Sequence, residues 1–218
     1  MKTLISILAV VLMGAAPVAG AQSSDVGLVN QLSGEVSYAG QGGTQSKAQA
    51  FMKVREGDRF TLPAGAQLRL VYFNGSRQET WKGPASFKAG AKQSEVLSGQ
   101  AAEAVQLPSG VAQKIAQVPN LVQIAKLGRS GGIAVRGGGK PGRLSAEQQA
   151  EVNQAKANYV LMRQKAAAED ITPELYYYSV LQDHLLYSDM KTVTDEMLKR
   201  QPNNTEAQEL AAYVKSRI

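Results

Sequence analysis

Between Val26 and Val135 apolar residues alternate with polar ones or gather in short runs, and turn-forming residues recur about every ten positions. The turn signals include Gly42-Gly43, Glu56-Gly57-Asp58, Pro63-Ala64-Gly65, Asn74-Gly75, Lys82-Gly83-Pro84 and Ser98-Gly99. Short strands so regularly punctuated predict an all-β sandwich or barrel, or a solenoid-like β module. The stretch Gln67–Phe73 (QLRLVYF) shows the alternation best. Successive side chains of a strand point to opposite faces, so Leu68, Leu70 and Tyr72 share one face and Arg69, Val71 and Phe73 the other. The second set is chemically mixed, which predicts a half-covered face. Asn74-Gly75 favours two consecutive positive φ angles and predicts a two-residue type I′ hairpin. Trp81 could be a platform for carbohydrate or peptide, but a lone Trp next to a strand is more often part of the core with its N–H satisfied.

The period changes after a Gly/Pro break at 137–142. Ser145-Ala-Glu-Gln148 has the form of a capping box. Val152, Ala155, Tyr159, Met162 and Ala166 follow at helical spacing. Thr172-Pro173 opens a second helix with Pro where its missing N–H costs nothing, and Leu175, Tyr178, Leu181 and Leu185 form its stripe. Asp189 is expected to cap a third helix, carrying Met190, Val193 and Met197. Thr205 is expected to cap a fourth, carrying Ala207, Leu210, Ala211 and Val214. The pattern therefore divides the chain into a β region at 26–138, a Gly/Pro-rich linker at 139–144 and a helical region at 145–218, an α+β arrangement. Tyr176, Tyr177 and Tyr178 fall at successive 100° steps around the second helix. One should face the core and at least one should be exposed as an interface anchor; the alternative is that all three are buried.

Five short motifs occur in order: Gly34 with Val36, Gly57 with Asp58, Gly75 with Ser76, Gly99 with Ala101, and Val135-Arg136-Gly137. In order and spacing they resemble the FecR-type periplasmic domain over about half of the chain. The resemblance implies a non-enzymatic β module of the bacterial envelope that contacts other proteins or the wall. The family usually continues Val-Arg-Gly-Thr into a further strand, whereas here Gly138-Gly139-Lys140-Pro141 follows. The cytosolic segment and membrane helix of the family's sensor proteins find no counterpart in the pattern, so direct contact with a sigma factor is not part of the expectation. The last helices are similar to one tetratricopeptide-like unit, a helix–turn–helix closed by Pro202-Asn203.

The first residues add a compartment. Lys2, the apolar run Leu4–Ala16, and Ala19-x-Ala21 match an export signal cut after Ala21. The run is shorter than the roughly 18–20 residues a spanning helix needs. No cysteine lies near the cut, so no lipid attachment is expected, and a periplasmic or secreted location follows. The chain has no cysteine, which removes disulfides and thiolate metal sites. Net charge is +6. Lys126, Arg129, Arg136, Lys140 and Arg143 stand in a stretch without an acidic residue. Such a stretch attracts anionic lipid, wall polymer or an acidic protein; outside the cytoplasm nucleic acid is not expected. Its plainer reading is a solvated connector.

Catalytic chemistry finds little to stand on. His184 is the only histidine, and no Gly-x-Ser-x-Gly elbow exists. His184, in Gln182-Asp183-His184, is expected to be solvated. Gly137–Lys140 lacks the Ser or Thr of a phosphate-binding loop, because Pro141 follows the lysine. Asp58 is read as a turn-fixing carboxylate rather than a metal ligand. No enzyme activity and no cofactor are expected. The sequence points to a binding or scaffold module for an envelope protein or wall component. The tyrosines at 176–178 are the expected protein contact, and the basic stretch is the expected contact with an anionic surface.

Overall fold

The computed structural model describes residues 24–40, 42–129 and 143–218. Ten strands come first: β1 (Asp25–Ser33), β2 (Ser37–Ala39), β3 (Gln45–Lys47), β4 (Lys53–Arg55), β5 (Arg59–Leu62), β6 (Gln67–Tyr72), β7 (Arg77–Lys82), β8 (Ala85–Ala89), β9 (Ser94–Gly99) and β10 (Glu103–Gln106). Helices follow: α1 (Val111–Ile115), α2 (Val118–Arg129), α3 (Ala146–Lys165), α4 (Thr172–Asp183), α5 (Tyr187–Arg200) and α6 (Thr205–Lys215). The strands form two antiparallel sheets, one in the order β10-β7-β6-β1-β4 and the other β3-β2-β5-β8-β9. The class is α+β, as the pattern predicts.

The two sheets enclose one core. Leu68, Leu70 and Tyr72 of β6 point into it together with Val29, Phe60, Leu62, Trp81 and Phe87. Trp81 stacks on Phe87 at 4.3 Å, and Phe87 on Phe60 at 5.0 Å. Each large apolar side chain withdrawn from water in this way contributes about 1.5–3 kcal/mol. The indole N–H of Trp81 donates to Glu79 Oε2 at 3.2 Å, so Trp81 is a satisfied core residue. Glu79 sits beside it, held also by Arg77 Nε at 2.8 Å.

The opposite face of the β10–β4 sheet carries a second core. Leu28, Phe51 and Val71 pack there against α1, α2 and α4–α6, with Phe73 at the margin. The outer face of β6 is thus covered more fully than half: Arg69 and Val71 are both buried. Three layers result, sheet on sheet on helices, and α4 lies in the middle of the helical layer against α1, α3 and α5.

Four expectations are corrected. The stretch from Val111 to Arg129 is helical, and among the described residues the last strand ends at Gln106, the expected Val135-Arg136-Gly137 element lying outside them. Val111, Ile115, Val118, Val122 and Ala125 form a buried stripe at three- and four-residue spacing, which short flanking turns disguise as strand punctuation. The β6–β7 connection has four residues, with Tyr72 opposite Arg77. The residue with positive φ in it is Ser76, at 44°. Gly75 is needed for close approach instead, since a Cβ there would lie 2.8 Å from the Lys92 carbonyl oxygen. Asn204, not Thr205, caps α6 by accepting from the Ala207 N–H at 3.0 Å. Asp189 lies inside the first turn of α5, after the N-cap Leu186.

The Ser145 capping box is present in both directions, at 3.2 and 2.9 Å. Asp58 fixes its turn as expected, accepting from the Arg55 N–H at 2.9 Å. Among the described residues no helix is long and apolar enough to cross a membrane.

Candidate functional site: a cleft at the edge of the covered sheet

The helical layer does not cover the β10–β4 sheet evenly. It packs over β1 and β6 and leaves the far side, β7 and β10, facing a cleft of about 340 Å³. Alternation decides which strand residues enter it. Gln78 and Thr80 of β7 lie opposite Val105 and Glu103 of β10, all four on the outer face. The far wall is the end of α3, with Leu161, Met162 and Lys165. Leu107 and Pro108 close one end. Val105 and Leu161 are each 54% exposed, so two large apolar side chains stand open to solvent at the rim.

The floor is polar and buried. Arg69 is 3% exposed and Asp170 equally so. Arg69 Nη1 donates to Gln31 Oε1 and lies 3.5 Å from Asp170 Oδ1; its Nε donates to Thr80 Oγ1 at 3.2 Å, and its Nη2 to Glu169 Oε1 at 3.4 Å. Asp170 Oδ1 accepts from the backbone N–H of Thr172 at 2.8 Å and from its hydroxyl at 2.5 Å. Asp170 Oδ2 accepts from Gln78 Nε2 at 2.8 Å. Asn30 Nδ2 donates to Thr172 Oγ1. Each charged group here is paired, which is the condition for burying it without a large penalty. The network also ties strands β1, β6 and β7 to the turn before α4. Two acceptors remain unmet, Asn30 Oδ1 and Gln78 Oε1, and of these two residues only Gln78 lines the cleft.

Behind the cleft the turn between α3 and α4 is clamped. Glu174, fully buried, lies between Arg163 at 3.1 Å and Arg200 at 3.2 Å. Burial pushes the Glu174 carboxyl above its ordinary range, and the two arginines oppose that push. Arg200 Nη1 also donates to the Ala168 carbonyl at 2.9 Å. A second cluster pins α1 to α3 and α4: Lys114 reaches Asp183 at 2.6 Å and Glu151 at 3.1 Å. Burial works against the Lys114 charge, but these two carboxylates outweigh it and raise its pKa. His184 is not solvated. Its side chain is 7% exposed, with Nε2 3.1 Å from Glu151 Oε2.

The residues singled out in the sequence lie elsewhere. Tyr176, Tyr177 and Tyr178 are 6%, 8% and 1% exposed, which overturns the expectation of an exposed ring and agrees with the alternative that all three are buried. The reason is that α4 is enclosed on all sides, buried from Ile171 through Leu181. Tyr177 stacks on Tyr159 at 5.3 Å, and the Tyr176 hydroxyl accepts from Asn158 at 3.3 Å. Lys126 lies on α2, 3.9 Å from Glu206. Arg129 ends α2, and its side chain lies outside the described residues, as do Arg136 and Lys140. Arg143 is exposed ahead of α3.

None of the singled-out residues whose side chains the structure describes lines the cleft. Its floor draws on residues 69, 78 and 170, which no spacing in the sequence brings together. The one local signal was Arg69, a charge inside an apolar strand. Among the described residues no group of three or more His, Cys, Asp or Glu could hold a metal ion. Compared with known proteins, the chain matches no family model, no curated protein and no solved structure.

Proposed function

We propose that the chain is an exported, non-enzymatic binding module of the FecR type that holds a protein partner in the bacterial cell envelope through the cleft between β7–β10 and α3. One observation carries the reading: a sheet left open at its edge, where exposed Val105 and Leu161 line one cleft over a buried polar floor. Concave sites with apolar walls and few polar groups are the usual form of a binding site. The export signal and the ordered FecR-type motifs supply the compartment.

A second reading assigns the contact to α2, where Ile124 and Leu127 are exposed on the same helix as Lys126. A mixed basic and apolar surface of this kind suits an anionic lipid or wall polymer. Crosslinking the protein in its native envelope at low and at high salt separates the two. A protein product that survives high salt and is lost in Leu161→Asp supports the cleft. Lipid or wall material alone, lost at high salt and on neutralising Lys126 and Arg143, contradicts it, because exposed charge pairs are screened within about 10 Å at 0.1 M salt.

A further inference from the structure

Asn74-Gly75 does not serve the turn for which the pair is usual, because neither residue takes a positive φ. Gly75 has its reason in the Lys92 carbonyl behind it. Asn74 has no such reason. It is the one exposed residue of the β6–β7 connection, and its side chain makes no hydrogen bond to any described residue. The Gly75 N–H likewise donates to no described group.

Both partners of one reaction are thus untethered. The backbone nitrogen after an asparagine can attack the side-chain carbonyl carbon and close a five-membered ring, one reason asparagine is thermolabile. A side chain on the following residue obstructs that approach, and glycine has none. The bond formed joins Gly75 N to Asn74 Cγ. The bond broken is Cγ–Nδ2, and Nδ2 leaves as ammonia with the Gly75 amide proton. Water then opens the succinimide. Addition at Cγ gives Asp in an ordinary backbone. Addition at the main-chain carbonyl gives isoaspartate, with the chain running through Cγ, one more backbone atom and a free α-carboxylate.

The same turn anchors the end of β10. Gln106 Nε2 donates to the Gly75 and Ser76 carbonyls, each at 3.0 Å. The Leu107 N–H donates to the Ser76 carbonyl at 2.7 Å. Gln106 and Leu107 both line the cleft. An extra backbone atom just before Gly75 displaces the two carbonyls, and Gly75 cannot shift toward the Lys92 carbonyl to absorb it. We propose that Asn74 is a site of spontaneous covalent modification, deamidated by water through a succinimide with Gly75, and that its isoaspartate product releases the end of β10 from the β6–β7 turn. The site stands independently of the binding function proposed above.

The test incubates the folded full chain at mildly alkaline pH and follows every asparagine by peptide mapping and tandem mass spectrometry, with a urea-unfolded sample alongside. The expected result is conversion at position 74 at least tenfold faster than at any other asparagine of the folded chain, with isoaspartate among the products. The isoaspartate form, separated by ion exchange, should show at least tenfold faster hydrogen exchange at the Leu107 N–H and a shifted Gln106 side-chain amide. Asn74→Gln, at an exposed position and closing its ring far more slowly, should stay unmodified and keep the Leu107 protection of fresh protein. An Asn74 that persists in the folded chain while the unfolded chain converts would overturn the proposal, because the fold would then withhold the attack. Conversion no faster than at the other asparagines would overturn it as well. Isoaspartate at 74 with unchanged exchange at Leu107 would overturn the release of β10.

Discussion

Asp58 shows how one residue serves both the turn and the pH response. Its carboxylate accepts the Arg55 N–H, and it is 5% exposed. Desolvation raises its pKa, only partly offset by that bond and by the Arg55 charge. In the unfolded chain an Asp titrates near 3.9. A folded value above this means the native state holds the proton longer, so stability from this group falls as pH rises from about 4 through the folded pKa. Asp58→Asn keeps an oxygen for Arg55 and removes the buried charge. Relative to wild type, the variant should match at pH 3.5 and gain stability by pH 7, read as urea midpoints at both values. A variant that instead loses ground as pH rises would show that the charged form is the one the fold favours. Glu174 titrates in the same direction, through the same cause.

Elements were legible where the local pattern and the burial agree. The two faces of β6, the core position of Trp81 and the double capping box at Ser145 followed from alternation and spacing alone. Gly99, a motif glycine, was legible as a special position but not for its full reason. It has φ of 81°, and a Cβ there would meet the Pro84 carbonyl oxygen at 2.4 Å. Gly99→Ala should therefore destabilise by about 2–3 kcal/mol, from backbone strain together with overpacking at the β8–β9 pairing. Thermal or urea unfolding reads this directly, and an unchanged midpoint would mean the β8–β9 edge yields freely. The helices α1 and α2 were misread because five apolar residues at helical spacing sat between turn-like dipeptides. The three tyrosines of α4 were misjudged for another reason. A helix with Tyr, Ser, Thr and Glu on its surface reads as half exposed, yet here every one of those polar groups is covered by a neighbouring layer.

At the scale of the whole molecule, the helices are the outer cover of one sheet rather than a separate tail. Arg69 and Gln78 on the strands meet Asp170 and Thr172 at the head of α4, some hundred residues later in the chain. That distance explains why the cleft could not be seen in the sequence: its floor is made by long-range pairing, and its rim, Val105 and Leu161, by what the helical layer leaves uncovered. Exposed apolar groups gathered over a concave polar floor mark contact sites. The most direct test replaces Leu161 with a photoreactive phenylalanine derivative in the full chain, in its native envelope, with exposed Lys92 as the control position. The account predicts a discrete protein product from position 161 only, abolished by Val105→Asp and mapping to an extended apolar segment of the partner. Equal labelling from both positions, or lipid as the sole product at 161, would contradict it.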